Sequence, residues 1–176
     1  MANESSIVQA GVTSIGADAF LYCSSLTNLT IGNGLTSVGD SAFLTCYDLT
    51  NIYFRGNAPS SFQLSSFDRG VVTANYLPGT TGWSEFTTAT GIPTELWLLP
   101  KPTILNFGPG FGVQTNNFGF TISWATNAAV VVEACDNLAN PVWSPVATNT
   151  LTNGVSFFSE PVQTNIASDY YRIRTP

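Results

Sequence analysis

Ser14-Ile15-Gly16-Ala17-Asp18-Ala19-Phe20-Leu21-Tyr22-Cys23-Ser24-Ser25-Leu26-Thr27-Asn28-Leu29 recurs 23 residues later as Ser37-Val38-Gly39-Asp40-Ser41-Ala42-Phe43-Leu44-Thr45-Cys46-Tyr47-Asp48-Leu49-Thr50-Asn51-Ile52. Ser, Gly, Ala, Phe, Leu, Cys, Leu, Thr and Asn are identical between the copies, while Ile15/Val38 and Leu29/Ile52 match in kind. Chance does not produce such agreement. A fixed period of this length marks a stack of similar units, each too small to bury its apolar side alone. A half-repeat precedes the pair, with Gly11-Val12-Thr13 mirroring Gly34-Leu35-Thr36. A degraded third copy follows: Ser65-Ser66-Phe67 echoes the Ala-Phe element, and Val72 to Tyr76 the strand.

Inside each unit, Leu29 and Ile31, then Ile52 and Phe54, alternate at period 2, as a strand with one buried face requires. The Asp-Ala-Phe-Leu and Ser-Ala-Phe-Leu segments read as a short helical turn that points Phe20 and Phe43 into the coil. Stacking then rests each Phe, Leu and Cys on its equivalent one layer down. Burying one Phe contributes roughly 3 kcal/mol. Pro78 and Gly79 end the last strand, and Trp83 is placed to cover the apolar end of the stack.

The pattern Ile-Gly-x-x-Ala-Phe-x-x-Cys-x-x-Leu-Thr-x-Leu/Ile-x-Ile/Phe resembles the BspA-like leucine-rich repeats of bacterial surface proteins, over about residues 6 to 80. The resemblance implies a right-handed solenoid with a small parallel sheet on one side, in proteins usually associated with adhesion. Residues 51–59 and 76–83 look like the closing part of such arrays.

After the repeats the texture changes. Pro93, Pro100 and Pro102 flank Leu96-Trp97-Leu98-Leu99, which reads as a connector partly buried through Trp97. From Thr103 on, short alternating runs are separated by turn residues, as in an antiparallel β-sandwich. The clearest are Phe118–Trp124, Val130–Cys135, Trp143–Val146, Val155–Ser159 and Tyr170–Arg174, with Phe118, Phe120, Ile122 and Trp124 on one face. Asn137–Trp143 and Tyr170–Arg174 resemble a C-terminal sandwich module of bacterial secreted proteins. The expected fold is therefore mainly β: a solenoid with its cap over 1–90, a Pro-containing linker over 91–102 and a sandwich over 103–176.

Composition narrows the function. Charged residues make up 9% of the 176, against about 25% in an average soluble protein, so Ser, Thr, Asn and Gln must make the surface polar. No leader is visible, since Met1 to Glu4 leads straight into a polar segment; this fits a cytosolic protein or a mature piece of an exported one, and the polar surface with the repeats favours the second. No apolar run is long enough to span a bilayer. The net charge is −6, and Arg55, Arg69, Lys101, Arg172 and Arg174 are too few to track a phosphate backbone.

There is no histidine, which removes Ser-His-Asp and Cys-His nucleophilic sites and His-ligated zinc. The eleven acids are scattered, so no glycosidase pair is placed by the repeat. No catalytic residue, metal site or cofactor is expected. Cys23 and Cys46 stack as neighbours, either as buried small side chains or as a disulfide. Gly108-Pro109-Gly110-Phe111-Gly112 reads as a tight turn, since it lacks the Lys and the following helix of a phosphate loop. Asp136 and Asp169 are isolated calcium candidates without an Asp-x-Asp loop.

If Leu29/Ile31 and Ile52/Phe54 point inward, Asn28, Thr30, Asn51, Tyr53 and Arg55 line the outward side of the sheet. Those side chains suit protein or glycan contacts, and equally suit simple solvation of the sheet. Two functions stand: a non-enzymatic extracellular or cell-surface binding or adhesion module, and a structural protein that assembles with copies of itself.

Overall fold

The structure, a computed structural model, describes residues 4–62, 65–67, 72–162 and 170–176. The chain forms two compact units, Met1–Trp97 and Leu98–Pro176.

In the first unit, β1 (Glu4–Val8), β3 (Leu26–Ile31), β5 (Asn51–Phe54), β7 (Thr73–Tyr76) and β8 (Thr94–Leu96) form one parallel sheet in that order. β2 (Ser14–Ile15), β4 (Ser37–Val38) and β6 (Ser61–Phe62) form a second, narrower parallel sheet. The coil is a solenoid of about four turns. The register follows the sequence repeat: Asn28 pairs with Asn51, Leu29 with Ile52, Thr30 with Tyr53 and Ile31 with Phe54. The offset is 23 residues there, 22 where Asn51 meets Thr73, and 20 where Ala74 meets Thr94. Pro-flanked residues 94–96, within the stretch read as a linker, thus form the fifth strand of the sheet.

The Ala-Phe segments are not helical. Asp18 and Ser41 have φ of 57° and 54°, and Tyr22 and Thr45 both 63°, so left-handed residues bracket each turn at the same repeat positions. Such a conformation costs a non-glycine residue about 1–2 kcal/mol. Hydrogen bonds between coils offset it: the N–H groups of Asp18, Phe20 and Tyr22 donate to the carbonyls of Asp40, Ala42 and Leu44 at 3.0, 2.8 and 3.2 Å. A helix would turn these groups onto its own chain. The stack takes them instead.

Phe20, Phe43 and Phe67 form the predicted ladder, with centroids 5.1 and 5.2 Å apart and rings tilted by 7° and 11°. Leu29, Ile31, Ile52, Phe54 and Ala74 line the core behind the main sheet. Close stacking also explains Gly39: a Cβ there would lie 2.4 Å from the Ala17 nitrogen.

The far end of the stack is closed by α1 (Trp83–Thr90), a helix with no counterpart in the sequence reading. Trp83 and Phe86, three apart, share its buried face. Phe86 meets Phe54, Phe62 and Phe67 edge-on at 6.1, 5.2 and 6.3 Å, and Trp83 stacks on Tyr76 at 5.0 Å. Trp83 is therefore the cap residue that its position suggested. Gly91, at φ 73°, ends the helix in the left-handed form and donates its N–H to the Thr87 carbonyl.

The second unit is antiparallel. β11 (Asn117–Ser123) pairs with β14 (Val155–Pro161), with β10 (Gly112–Gln114) and, at its other end, with β9 (Thr103–Leu105). β12 (Ala129–Cys135) lies between β13 (Ser144–Thr150) and β15 (Tyr170–Arg174). Phe120, Ile122 and Phe158 from the first sheet pack with Val130 and Val132 from the second, and Phe118 and Trp124 join the same core. The shared face read from sequence for residues 118–124 is thus the core face. Asn153 and Gly154, both at positive φ, form the turn between β13 and β14.

Candidate functional site

The main sheet of the first unit has one side in the core, and its other side carries Asn28, Thr30, Asn51, Tyr53 and Arg55. Four of these are half-buried and Arg55 is exposed. Register sets them in rows across the strands. Ile7, Thr30, Tyr53, Asn75 and Glu95 follow one another from β1 to β8, and Asn28, Asn51 and Thr73 form the adjacent row.

The Asn row is bound into the sheet. Asn28 Nδ2 donates to Thr27 Oγ1 at 3.1 Å, and Asn51 Nδ2 to Thr50 Oγ1 at 3.1 Å. Thr50 Oγ1 donates in turn to the Thr27 carbonyl. Asn75 Nδ2 donates to Asn51 Oδ1 and to the Thr73 carbonyl, each at 3.3 Å. These bonds fix the amides. Among the described residues the Asn28 amide oxygen and the Thr30 hydroxyl make no hydrogen bond, which leaves them to solvent or to a partner.

Tyr53 and Arg55 are drawn together by a residue absent from the sequence-derived set. Trp97 follows β8 and donates its N–H to the Tyr76 carbonyl at 2.7 Å. Its ring lies 4.9 Å from that of Tyr53, and the Arg55 guanidinium sits 5.5 Å from its centroid. The Tyr53–Trp97 pair reaches across β7, where Asn75 is only 9% exposed. The outward side is thus graded. Amides and hydroxyls lie over β3 and β5, with an aromatic and cationic cluster towards the β8 edge.

The remaining candidates are placed as follows. None of Cys23, Cys46 and Cys135 is in a disulfide; Cys46 is buried and its Sγ lies 3.0 Å from the Phe20 carbonyl. Gly108 to Gly112 is a turn closed by the Phe111 N–H on the Gly108 carbonyl, with both glycines at positive φ. Asp136 is exposed, and Asp169 lies outside the described residues. Among the described residues, no three Cys, Asp or Glu side chains are grouped to hold a metal ion. No helix among them is long and apolar enough to cross a membrane.

Residues 2–75 match the family described as BspA type leucine rich repeat region (6 copies). No curated protein and no solved structure matches the chain. Sheet register, the Phe ladder and the family match cover the same coils, so residues 2–75 are similar in sequence and in stacking to a BspA-type leucine-rich repeat region.

Proposed function

We propose that the chain is a non-enzymatic interaction module that works outside the cell, binding a protein or glycan partner through the outward side of its repeat sheet. Asn28, Thr30, Asn51, Tyr53 and Arg55 are its contacts, joined by Trp97. One observation carries the reading: the Tyr53–Trp97–Arg55 cluster stands beside hydrogen-bonded amides on the side of the sheet that the core does not use. Such clusters of Tyr, Trp and Arg are the residue types that dominate binding energy at interfaces. The family supports a surface protein-interaction role at the coarse level, and the low charge fits an exported protein.

The test is a screen of immobilised glycans and extracellular matrix proteins against the full chain and two variants, Tyr53→Ala and Trp97→Ala. A ligand retained by the wild type should bind at least about tenfold more weakly to each variant. A ligand bound equally by all three would remove the sheet side as the site.

Self-assembly is the second reading. The C-terminal end of the stack is closed by Trp83 and Phe86, which weighs against head-to-tail filaments. Electron microscopy showing fibres of the purified chain would reverse that judgement.

A further inference from the structure

The second unit carries a separate polar assembly on the side of the β13–β12–β15 sheet turned away from its core. Tyr171 and Ile173 of β15 pack on the core, so Tyr170, Arg172 and Arg174 occupy the other face. Glu133 pairs with Arg172 in the ladder and shares that face. Although Glu133 is only 5% exposed, its two oxygens are both engaged: Arg172 Nε donates to Oε2 at 2.7 Å and Arg174 Nε to Oε1 at 2.8 Å. The Arg172 guanidinium also lies 4.4 Å from the Trp143 ring centroid, and Arg174 Nη1 donates to the Thr175 carbonyl at 3.2 Å.

The outer edge of Arg172 is unspent, and that of Arg174 keeps Nη2. Nη1 and Nη2 of Arg172 and Nη2 of Arg174 make no hydrogen bond among the described residues, and the two side chains are 49% and 46% exposed. One carboxylate therefore orients two guanidinium groups by their Nε edges and leaves the opposite edge of Arg172 and Nη2 of Arg174 facing water. Side-chain entropy that a flexible arginine loses on binding is here lost on folding. A guanidinium edge matches a planar carboxylate with two parallel N–H···O bonds. Two positive charges against one negative also leave this spot cationic on a chain of net charge −6.

We propose that Arg172 and Arg174 form a receptor for a single carboxylate carried on a sugar, the uronate type of an acidic glycan. Trp143, against the Arg172 guanidinium, and Tyr170, on the same face of β15 and 38% exposed, supply flat rings suited to the C–H face of a pyranose. The overall negative charge repels a polyacidic peptide as a whole, whereas a sugar with one carboxylate meets mainly the local field.

The test is calorimetric titration of the full chain with a glucuronate-containing disaccharide, its neutral glucose counterpart and tetraglutamate. The uronate should bind at least about tenfold more tightly than either control, and more weakly as salt is raised. Arg172→Lys and Arg174→Lys keep the charge beside Glu133 but lose the planar fork, and each should weaken binding about tenfold. A readout on the wild type alone guards against a variant that folds poorly: acetate should displace the uronate, and acetamide should not. Equal binding of the neutral sugar or of the peptide, unchanged binding in both Lys variants, or equal displacement by acetamide would each overturn the assignment.

Discussion

Replacing Phe43 by alanine removes the middle ring of the three-ring ladder. The side chain is 1% exposed and stacks on Phe20 at 5.1 Å and on Phe67 at 5.2 Å. Truncating a buried Phe to Ala costs about 3–5 kcal/mol, and each stacked aromatic pair contributes about 0.5–1.5 kcal/mol beyond its buried area. Full burial with two such neighbours puts Phe43→Ala at the top of that range, about 4–5 kcal/mol. Phe20 is half-buried and has one stacked neighbour, so Phe20→Ala should cost about half as much. At about 4–8 °C per kcal/mol for a unit of this size, Phe43→Ala should lower the melting temperature by about 16–40 °C. The assay is thermal and urea unfolding of the full chain, followed by circular dichroism, with Phe43→Leu as a milder control. If Phe20→Ala and Phe43→Ala cost the same, or if Phe43→Ala costs less than about 1 kcal/mol, the ladder is not what holds the coils together.

Three further outcomes are expected. Gly39→Ala should destabilise by about 1–3 kcal/mol or more because its Cβ meets backbone, while Gly16→Ala, with no heavy atom within 4 Å, should change the urea midpoint little. Glu133 has its pKa held below the usual carboxylate range, first by the Arg174 hydrogen bond and then by that of Arg172. A depressed folded-state pKa contributes stability that is present above the unfolded value of about 4.5 and lost as pH falls through the folded one. The wild type should therefore lose more stability than Glu133→Gln between pH 5 and pH 2 in parallel urea titrations. Finally, with none of Cys23, Cys46 and Cys135 in a disulfide, thiol titration of the unfolded chain without reductant should count three, and reductant should leave the melting temperature unchanged. A count of one would mean that two of the thiols are paired.

What could be read from the sequence follows from how far apart the deciding residues lie. The 23-residue identity placed Leu29 over Ile52 and Phe20 over Phe43, because stacked coils of constant length convert spacing directly into contact. The same logic failed as the spacing shortened to 22 and then 20 residues, which hid β8 among prolines. β1 was hidden differently, since Ser6 holds the place taken by Leu29 and Ile52 in the next coils. α1 contains three threonines and a serine among eight residues, so helix propensity gave no signal; Trp83 and Phe86 fold it against the stack from tertiary contacts. In the second unit, alternation revealed the long strands, whereas β9 and β10 have three residues each and show no period. Trp97 escaped the candidate set because Tyr53, its partner, lies 44 residues earlier and two strands away.

The repeat stack also has a direction. At its C-terminal end the aromatic rings of α1 occupy the space another coil would need, packing on Phe54, Phe62 and Phe67. At the other end, Gly16 has open space where its equivalent Gly39 is pressed against Gly16 and Ala17, and β1 is the outermost strand of the sheet. An outermost strand carries backbone groups able to pair. Among the described strands β8 is outermost at the other edge of the sheet, and α1 covers the core there rather than that strand's edge. Two copies that met only through their β1 edges would be related by a two-fold axis, which closes the assembly at a pair. A fibre needs two different complementary ends, and α1 removes the apolar core surface from one of them. The outward side of the sheet stays free under either arrangement, because neither the cap nor the β1 edge draws on Asn28, Thr30 or Asn51.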